Sequence, residues 1–272
     1  MRTIMSIRWK LEILRMRMVK VGRLATRPSY WSDLRKGVFP GLEHLQVPFL
    51  RHYDYVVDAG ASRGQFASFA KNQWPNSRLF CFEPQPLCAA TARAVVGNRG
   101  EVHEVALSDK DGDEELIVSG REDSSSLLPV GELAEQVANA GEVDRFSVPV
   151  HRLDGHTAEF GLGIGLLKID VQGLELEVLK GLGQQIRRFA DIYLECSFRH
   201  LYEGQALGTE IIAYLSSYDF QLVAIENPAR GENHEILQAD LLFRRSGESG
   251  DDSGAAENPS VVQEEMAKWG AQ

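Results

Sequence analysis

Residues 55–84 constrain the fold of this chain more than any other segment, because they read as a buried strand, a glycine turn, a helix and a second strand. The apolar, β-branched residues before the turn are typical of a strand covered on both faces. Gly60 and Gly64 allow turn conformations that a Cβ would block, and they let a ligand approach the backbone closely. The segment therefore predicts a nucleoside-binding α/β unit.

The second strand of this unit ends in a carboxylate. Glu83 lies near the offset at which Rossmann-type units place an acid that accepts hydrogen bonds from ribose hydroxyls. The turn reads Gly-Ala-Ser-Arg-Gly, however, and lacks the middle glycine of the G-x-G-x-x-G motif, which seats a pyrophosphate. S-adenosylmethionine has no phosphate and brings an amino-acid end to the same place. We therefore expect S-adenosylmethionine rather than a dinucleotide as the cofactor.

The 272 residues suit one α/β domain with extensions. The chain has three cysteines, an odd number without metal-ligand spacing, which argues against a disulfide framework or a zinc site and fits a reducing compartment. Its apolar runs are too short to span a bilayer, and charges interrupt them before a signal peptide could form. These features predict a cytoplasmic protein, in which Cys81 belongs to the core.

The two ends of the chain differ in charge, although the formal net charge is −10. Residues 1–31 hold eight bases against one acid, and apolar residues recur at helical spacing along residues 4–21. We interpret residues 1–45 as a basic amphipathic arm. It could pack on its own domain, dock on a partner or, through residues 1–22, make peripheral contact with the inner membrane surface. Residues 246–272 are rich in Gly, Ser and acids and are expected to be a disordered tail.

Residues 46–245 alternate between strands and helices and are expected to form the main domain. Strands are predicted at 55–58, 78–83, 101–107, 165–171, 191–195, 220–225 and 240–243, and helices at 65–72, 87–96, 173–181 and 210–217. This alternation predicts an α/β fold with a Rossmann-like, doubly wound, seven-stranded, mostly parallel sheet and helices on both faces. Residues 108–153 are expected to form a small β insertion that shapes the substrate pocket, with strands at 114–119, antiparallel to its neighbour, and at 146–150.

An ordered set of short segments resembles the FkbM-type methyltransferases, within the class I S-adenosylmethionine-dependent fold. The segments are 57–64, 82–84, 106–109 with Gly112, 125–127, 152–154 and, most specifically, 168–175. The resemblance covers roughly residues 50–245, with two departures: Ser62 where Asn is common, and Gln172 where Glu is common. It implies an O-methyltransferase that acts on a hydroxyl of a sugar, glycolipid or secondary metabolite, so that the partner is a small-molecule or glycan acceptor.

The resemblance also implies where the cofactor binds. Its amino-acid end would lie on the first glycine turn, its ribose at the end of the second strand and its adenine at the end of the third. The residues so assigned are Asp58, Gly60, Ala61, Ser62 and Gly64 for the amino-acid end, Glu83 and Pro84 for the ribose, and Ala106, Leu107 and Ser108 for the adenine.

Two carboxylates, Asp170 and Glu195, end neighbouring strands of the predicted sheet, in which strands lie ~4.8 Å apart. Such a pair could bind a divalent ion, raise one pKa so that the group serves as a base, or stabilise the sulfonium charge. We expect Asp170 to act near the methyl group, as a base or a metal ligand. Lys168 points to the same side of its strand. It is expected either to orient Asp170 through an ion pair or to form a salt bridge that holds Lys168 inside the sheet.

Further candidates follow the same two strands. Glu175 lies near a helix start, where a carboxylate complements the helix dipole, and it shares with Asp170 and Glu195 the alternative role of a metal ligand. His200 follows the strand of Glu195 and is a candidate base, and Tyr202 could line the pocket with it. The remaining histidines show no metal-ligand spacing and are expected on the surface or in the core: His44, His52, His103, His151, His156 and His234.

Two other classes of function compete with a methyltransferase. A non-catalytic S-adenosylmethionine-binding module, recruited to a membrane or a partner by the basic arm, would not need the carboxylates after the fourth and fifth strands. A nicotinamide-dependent dehydrogenase is disfavoured by the missing middle glycine and by the lack of a Tyr-x-x-x-Lys pair. Nucleic acid is disfavoured as a substrate, because the acidic body offers no basic patch beyond the arm to neutralise phosphates.

Overall fold

The structure is a computed structural model that describes residues 27–120, 125–131, 133, 142–231 and 233–247. The apolar stripe of the basic arm and nearly all of the acidic tail lie outside the described residues, so both interpretations stay predictions.

Within the described residues, ten strands form two sheets. The strands are β1 (Tyr55–Ala59), β2 (Arg78–Phe82), β3 (Gly100–His103), β4 (Ala106–Ser108), β5 (Gly112–Ser119), β6 (Glu142–Arg152), β7 (Gly165–Ile169), β8 (Phe189–Ser197), β9 (Phe220–Arg230) and β10 (Ile236–Arg245). Seven of them make one sheet in the order β3-β2-β1-β7-β8-β10-β9, and three make a second sheet in the order β4-β6-β5.

The large sheet is parallel from β3 to β8, and β10 pairs antiparallel with both β8 and β9. All residues of β1 and β7 are buried, as expected for central strands covered on both faces. The seven-stranded, mostly parallel sheet predicted from the sequence is thereby confirmed.

Helices cover both faces of this sheet. They are α1 (Trp31–Leu34), α2 (Gln65–Gln73), α3 (Pro86–Val96), α4 (Glu175–Leu182) and α5 (Gly208–Ser216), with 3₁₀ helices at Pro28–Tyr30, Leu42–Gln46, Gly97–Arg99, Leu153–His156 and Gly183–Arg188. Along β1, Tyr55 and Val57 belong to a core cluster that includes residues of α4 and α5, whereas Val56 belongs to a cluster with α2 and α3. Successive side chains of a strand point to opposite faces, so the two clusters lie on opposite sides of the sheet.

The prediction of one strand at 101–107 is wrong. The chain forms β3 at the edge of the large sheet, leaves it after His103 and forms β4 in the small sheet. The predicted antiparallel strand, β5, pairs with β6, and β4 pairs parallel with β6. Side chains alternate in the same way in every strand, so the apolar pattern cannot distinguish one strand from two that enter different sheets. The split places β4 beside the cavity described below.

Residues 27–46 pack on the domain through a buried acid. Asp33 accepts hydrogen bonds from Ser68 Oγ at 2.6 Å and from Lys71 Nζ at 2.8 Å, both on α2. Lys36 Nζ lies 3.1 Å from the same carboxylate. Although burial alone would raise the pKa of Asp33, these donors hold it below its ordinary value. The ion pairs therefore tie this segment to the helix that follows the glycine turn.

No helix in the described part of the chain is both long enough and apolar enough to cross a bilayer. The three cysteines are free and buried, which confirms the predicted core position of Cys81.

Candidate active site

A cavity of about 450 Å³ lies at the carboxyl ends of β1, β2, β7 and β8. This is where ligands bind in open α/β sheets. The structure brings most of the predicted site residues to its lining: Gly60, Ala61, Ser62, Glu83, Pro84, Ala106, Leu107, Lys168, Asp170 and Glu195. Six predicted residues lie outside that lining: Asp58, Gly64, Ser108, Glu175, His200 and Tyr202.

The turn after β1 needs its two glycines for different reasons. Gly60 has a φ of +79°, and a Cβ there would collide with the backbone carbonyl of Asp170. Gly64 has a φ of +90°, and a Cβ there would lie 3.2 Å from the Cα of Ala92 on α3. Gly60 thus lets the ends of β1 and β7 approach each other at the cavity. Gly64 instead allows α2 to pack on α3, which shapes the turn from outside the cavity.

The Glu83 carboxylate is fixed by two backbone hydrogen bonds. Ser62 N–H donates to Oε2 and Gln85 N–H donates to Oε1, each at 2.8 Å. Glu83 is buried, and burial raises its pKa to about 7 against these two donors, which lower it. Each oxygen of an ionised carboxylate has a second lone pair, so Glu83 can accept further hydrogen bonds from a ligand in the cavity.

The residues around Glu83 fit S-adenosylmethionine. Ser62 Oγ is buried and has no hydrogen-bond partner among the described residues, and such a group in a native fold normally pairs with a ligand or water. Ala106, Leu107 and Leu116 supply an apolar wall on the side of the small sheet, where a flat aromatic base can pack. The backbone of the glycine turn, the Glu83 carboxylate and this wall match the amino-acid end, ribose and adenine of the cofactor in turn.

Lys168 connects the ends of β1 and β7. Its Nζ lies 3.1 Å from Asp58 Oδ1 and 3.7 Å from Asp170 Oδ2, and it donates to the carbonyl of Gly60 at 3.0 Å. Burial alone would lower the pKa of Lys168, but the carboxylates of Asp58 and Asp170 raise it above its ordinary value. Lys168 therefore stays charged, and the shorter contact is the one with the buried Asp58. Asp58 supports the turn through this ion pair from outside the cavity lining.

Gln172 joins the two carboxylates that the sequence placed at neighbouring strand ends. Its Nε2 donates to Asp170 Oδ1 at 2.6 Å and lies 3.3 Å from Glu195 Oε2. Gln172 has a φ of +55°, a left-handed conformation, and Tyr202 Oη donates to its Oε1 at 2.7 Å. The sequence identified Gln172 only as a departure from the usual Glu, and its bridging role comes from the fold.

Glu195 is the more buried member of this pair. Burial raises its pKa well above the ordinary value, and the nearby charges of Asp170 and Asp240 raise it further. Gln238 Nε2 on β10 donates to Glu195 Oε2 at 2.8 Å. Burial and the neighbouring carboxylates therefore favour the protonated form of Glu195.

The far side of the cavity is lined by polar residues that sequence reasoning did not assign to the site. Tyr193 Oη and Asn227 Nδ2 both donate to Asp240 Oδ2 at 2.7 Å. His44 Nδ1, in the 3₁₀ helix Leu42–Gln46, lies 3.0 Å from Tyr193 Oη. A signal for two of them was present in the sequence, because Tyr193 and Asp240 interrupt otherwise apolar strands. For His44 no local pattern pointed to the cavity.

Glu175 stabilises a turn and does not line the cavity. Its Oε1 accepts hydrogen bonds from the backbone N–H of Gly173 at 3.0 Å and of Val171 at 3.3 Å, at the start of α4. Burial raises the pKa of Glu175 to about 7. Among the described residues, no three of the predicted metal ligands bring their ligand atoms within 4.8 Å of one another. The structure therefore does not assemble the predicted set of Asp170, Glu195 and Glu175.

Two other predicted residues lie away from the cavity. His200 is exposed in the segment after β8 and is absent from the cavity lining, so its predicted role as a base is not supported by the geometry. Ser108 is buried, and its Oγ lies 3.4 Å from Asp109 Oδ1. Ser108 lies outside the lining because, of the three residues of β4, the first two, Ala106 and Leu107, border the cavity.

Comparison with known proteins agrees with this geometry. The family model described as Methyltransferase FkbM domain matches residues 58–222. The 2-O-methyltransferase NoeI from Sinorhizobium fredii is 35% identical over an alignment of 224 residues, and the match covers 76% of this chain and 91% of NoeI. The 31-O-demethyl-FK506 methyltransferase FkbM from Streptomyces tacrolimicus is 33% identical over an alignment of 217 residues, and the match covers 69% of this chain and 81% of that protein.

Among solved structures, Aeropyrum pernix fibrillarin with bound S-adenosylmethionine gives a TM-score of 0.43 at 14% identity, over 79% of this chain and 75% of that chain. The cavity, its carboxylates and the family match agree on one cofactor and one type of reaction. The chain belongs to the FkbM family and is an S-adenosylmethionine-dependent methyltransferase.

Proposed function

We propose that this enzyme methylates a hydroxyl group of a neutral sugar, either free or within a glycan. The observation that carries the proposal is the polar half of the cavity, where Asp170, Glu195 and Asp240 lie with the side chains of Gln172 and Asn227. Carboxylates and amides provide both acceptors and donors at fixed positions, which suits the neighbouring hydroxyls of a sugar. The names of the relatives NoeI and FkbM, each a methyltransferase at an oxygen, support the transfer of the methyl group to a hydroxyl oxygen.

The charge of this half also restricts the acceptor. Its carboxylates are near one another, and Lys168 is already paired with Asp58. A phosphate or carboxylate on the acceptor would meet like charge in a partly closed cavity, which disfavours binding. A neutral polyol replaces its water contacts with hydrogen bonds and brings no charge. The same negative field favours the positive sulfonium of the cofactor.

The residues on the cofactor side of the cavity hold S-adenosylmethionine by three kinds of contact. The backbone from Gly60 to Ser62 receives the amino-acid end, and the Glu83 carboxylate accepts hydrogen bonds from the ribose hydroxyls. Leu107 contributes to the wall that packs on the base. When bound, S-adenosylmethionine supplies an electrophilic methyl group on a sulfonium.

Asp170 holds the acceptor hydroxyl and takes its proton. Gln172 fixes Oδ1 of this carboxylate, whereas Oδ2 lies 3.7 Å from Lys168 Nζ on a side chain that is partly exposed. The proton would pass from the hydroxyl to Oδ2 as its oxygen gains the methyl group and the methyl–sulfur bond breaks, which leaves the sulfur as a neutral thioether. This is general base catalysis on an oriented pair of reactants. Glu195, protonated beside it, donates to another acceptor oxygen and fixes the sugar ring.

A transfer screen tests this proposal. Purified enzyme is incubated with cofactor labelled in the methyl group and with three acceptor sets: neutral sugars and oligosaccharides, their sulfated or phosphorylated counterparts, and phenols. We expect base-stable label in the neutral sugars above the charged counterparts. Label confined to phenols, or to charged sugars, would overturn the sugar proposal. Parallel reactions with and without Mg²⁺ test the assignment of Asp170, because a base needs no ion and a metal ligand does.

For the basic arm we propose peripheral contact with an anionic membrane surface. The support is the apolar stripe along residues 4–21 and the excess of bases around it. An arm of this kind would hold the enzyme near a glycolipid acceptor, and the vesicle experiment below tests it.

A further inference from the structure

A cluster of histidines lies behind the cofactor half of the cavity. His103 ends β3, His156 ends the 3₁₀ helix Leu153–His156, and Glu159 follows three residues later. His156 Nδ1 lies 2.9 Å from Glu159 Oε1, and His103 Nε2 lies 3.1 Å from Glu159 Oε2. One ligand atom from each residue lies within 4.8 Å of the other two. None of the three lines the cavity.

The contact between His103 and Glu159 is not an ordinary hydrogen bond. His103 Nε2 and Glu159 Oε2 are both buried, yet neither has a hydrogen-bond partner among the described residues, although they lie 3.1 Å apart. An N–H on this nitrogen would therefore point past the oxygen. Two buried polar atoms without partners reduce the stability of the fold unless another group binds both of them. A cation between them and His156 Nδ1 would do so.

His151 supplies the support that a metal-binding histidine normally has. Its Nδ1 lies 3.1 Å from His156 Nε2, and the two rings stack with centroids 5.3 Å apart. If His156 Nδ1 binds an ion, its Nε2 carries the proton and donates it to His151. Ligating histidines usually donate their second N–H in this way, which fixes the tautomer and the ring.

We propose that His103, His156 and Glu159 bind a divalent transition-metal ion, with zinc as the best fit. Two imidazole nitrogens and one carboxylate oxygen suit Zn²⁺, Co²⁺ or Ni²⁺, whereas Mg²⁺ and Ca²⁺ prefer sites made of oxygen alone. Water completes the coordination.

The ion would have a structural role next to the cofactor. The backbone carbonyl of His103 accepts the N–H of Glu83 at 3.0 Å, and its ring stacks on Phe82 with centroids 4.8 Å apart. The ion would link the end of the edge strand β3 to the segment after β6, and these two strands belong to different sheets. Sequence reasoning missed the cluster, because His103 lies far along the chain from His156 and Glu159.

The test uses the full chain without a histidine tag, stripped with a chelator and then dialysed. Zn²⁺ is titrated by calorimetry, and Co²⁺ by visible absorption, into the wild type and into Glu159→Gln and His156→Asn. The matched control is His52→Asn, which changes an exposed histidine outside the cluster. We expect one equivalent of Zn²⁺ per wild-type chain, a higher melting temperature with the ion, and affinity weakened at least about tenfold in the two cluster variants.

Two results would overturn the site. One is wild-type protein that binds no Zn²⁺ and melts at the same temperature with and without it. The other is folded Glu159→Gln, checked by circular dichroism, that binds as tightly as His52→Asn. Because the wild-type titration needs no variant, the proposal stays testable even where a substitution unfolds the chain. Co²⁺ spectra of the wild type report nitrogen and oxygen coordination independently of activity.

Discussion

The ammonium of Lys168 lies 3.1 Å from the carboxylate of Asp58, and both side chains are buried between the ends of two central strands. The pair joins β1, which leads into the glycine turn, to β7, which leads into Asp170, the proposed base. Lys168 Nζ lies farther from Asp170, at 3.7 Å. The geometry therefore favours a structural role for Lys168, as the partner of Asp58, over a role in orienting Asp170.

Lys168→Met is therefore expected to destabilise the fold. The substitution leaves the Asp58 carboxylate buried without its countercharge, which typically costs about 3–5 kcal/mol. Urea unfolding measures the change. Lys110→Met, at an exposed surface pair with Glu114, serves as the control and should change little. If Asp58→Asn combined with Lys168→Met does not recover part of the loss, the coupling between the two residues is wrong.

Glu83→Ala is expected to weaken cofactor binding by about 1.5–3 kcal/mol, which is roughly 10- to 150-fold in Kd, because a charged acceptor of ribose hydroxyls is lost. Isothermal titration with S-adenosylmethionine measures the affinity. Glu101→Ala, on the exposed side of β3, is the matched control. Equal affinity in Glu83→Ala and the wild type would place the ribose elsewhere.

Cofactor affinity is expected to rise with pH and to level off above about 7. Burial raises the pKa of Glu83 to about 7 in the free enzyme, and ribose hydroxyls donate to the ionised form. Below that pH binding must release a proton, so affinity falls by up to about tenfold per pH unit. The pH dependence of Kd is measured for the wild type and for Glu83→Gln, and the difference between the two separates this effect from titration of the cofactor. Parallel curves for the two proteins would contradict it.

The same burial has a predictable effect on stability. The pKa of Glu83 is higher in the folded enzyme than the ordinary 4.5 of the unfolded chain, so the unfolded chain releases the proton first as pH rises. The contribution of Glu83 to stability is therefore full below about pH 4.5 and is lost towards pH 7. Bound cofactor should offset this loss, which thermal melts with and without cofactor can measure.

Asp170→Asn is expected to lower kcat by about 100-fold or more, the usual cost of losing a general base, with cofactor affinity within about threefold of wild type. Asparagine retains the oxygen that Gln172 contacts but cannot take a proton. Single-turnover methyl transfer and calorimetry give the two quantities, and Asp113→Asn, an exposed residue of β5, is the control. Wild-type rates in Asp170→Asn would remove this residue from the mechanism.

Deletion of residues 1–22 is expected to lower sedimentation with anionic vesicles, because it removes the apolar stripe and most of the bases of the arm. Neutral vesicles show whether charge contributes. A full-length variant that keeps the bases but replaces Ile7 and Leu14 by serine separates charge from insertion. Equal sedimentation of the deletion and the wild type would favour packing or docking of the arm instead.

Much of the cofactor side of the site was predictable from local sequence. The strand before Gly60, the positive-φ turn and the carboxylate of Glu83 follow one another within a short segment. Each rests on a local property: β-branched residues favour a buried strand, glycine tolerates a positive φ, and an acid at a strand end faces the ligand edge of the sheet. Asp170 was found in the same way.

The acceptor side depended on pairing between distant segments. Asp240 reaches the cavity because β10 pairs antiparallel with β8, and His44 because a 3₁₀ helix from the N-terminal region packs against Tyr193. The apolar pattern that predicts a strand does not specify its neighbours or its direction. His200 shows the reverse error, since closeness to Glu195 in sequence did not bring it to the site.

The sequence by itself determined the order of strands and helices, the cofactor turn and the carboxylates at the strand ends, because these depend on residues near one another in the chain. Only the tertiary structure decided that residues 101–107 split between two sheets, that Lys168 pairs first with Asp58, and that His103 meets His156 and Glu159. Each of these is a contact between side chains or strands brought together by long-range packing, and the burial that gives those contacts their energy exists only in the folded chain.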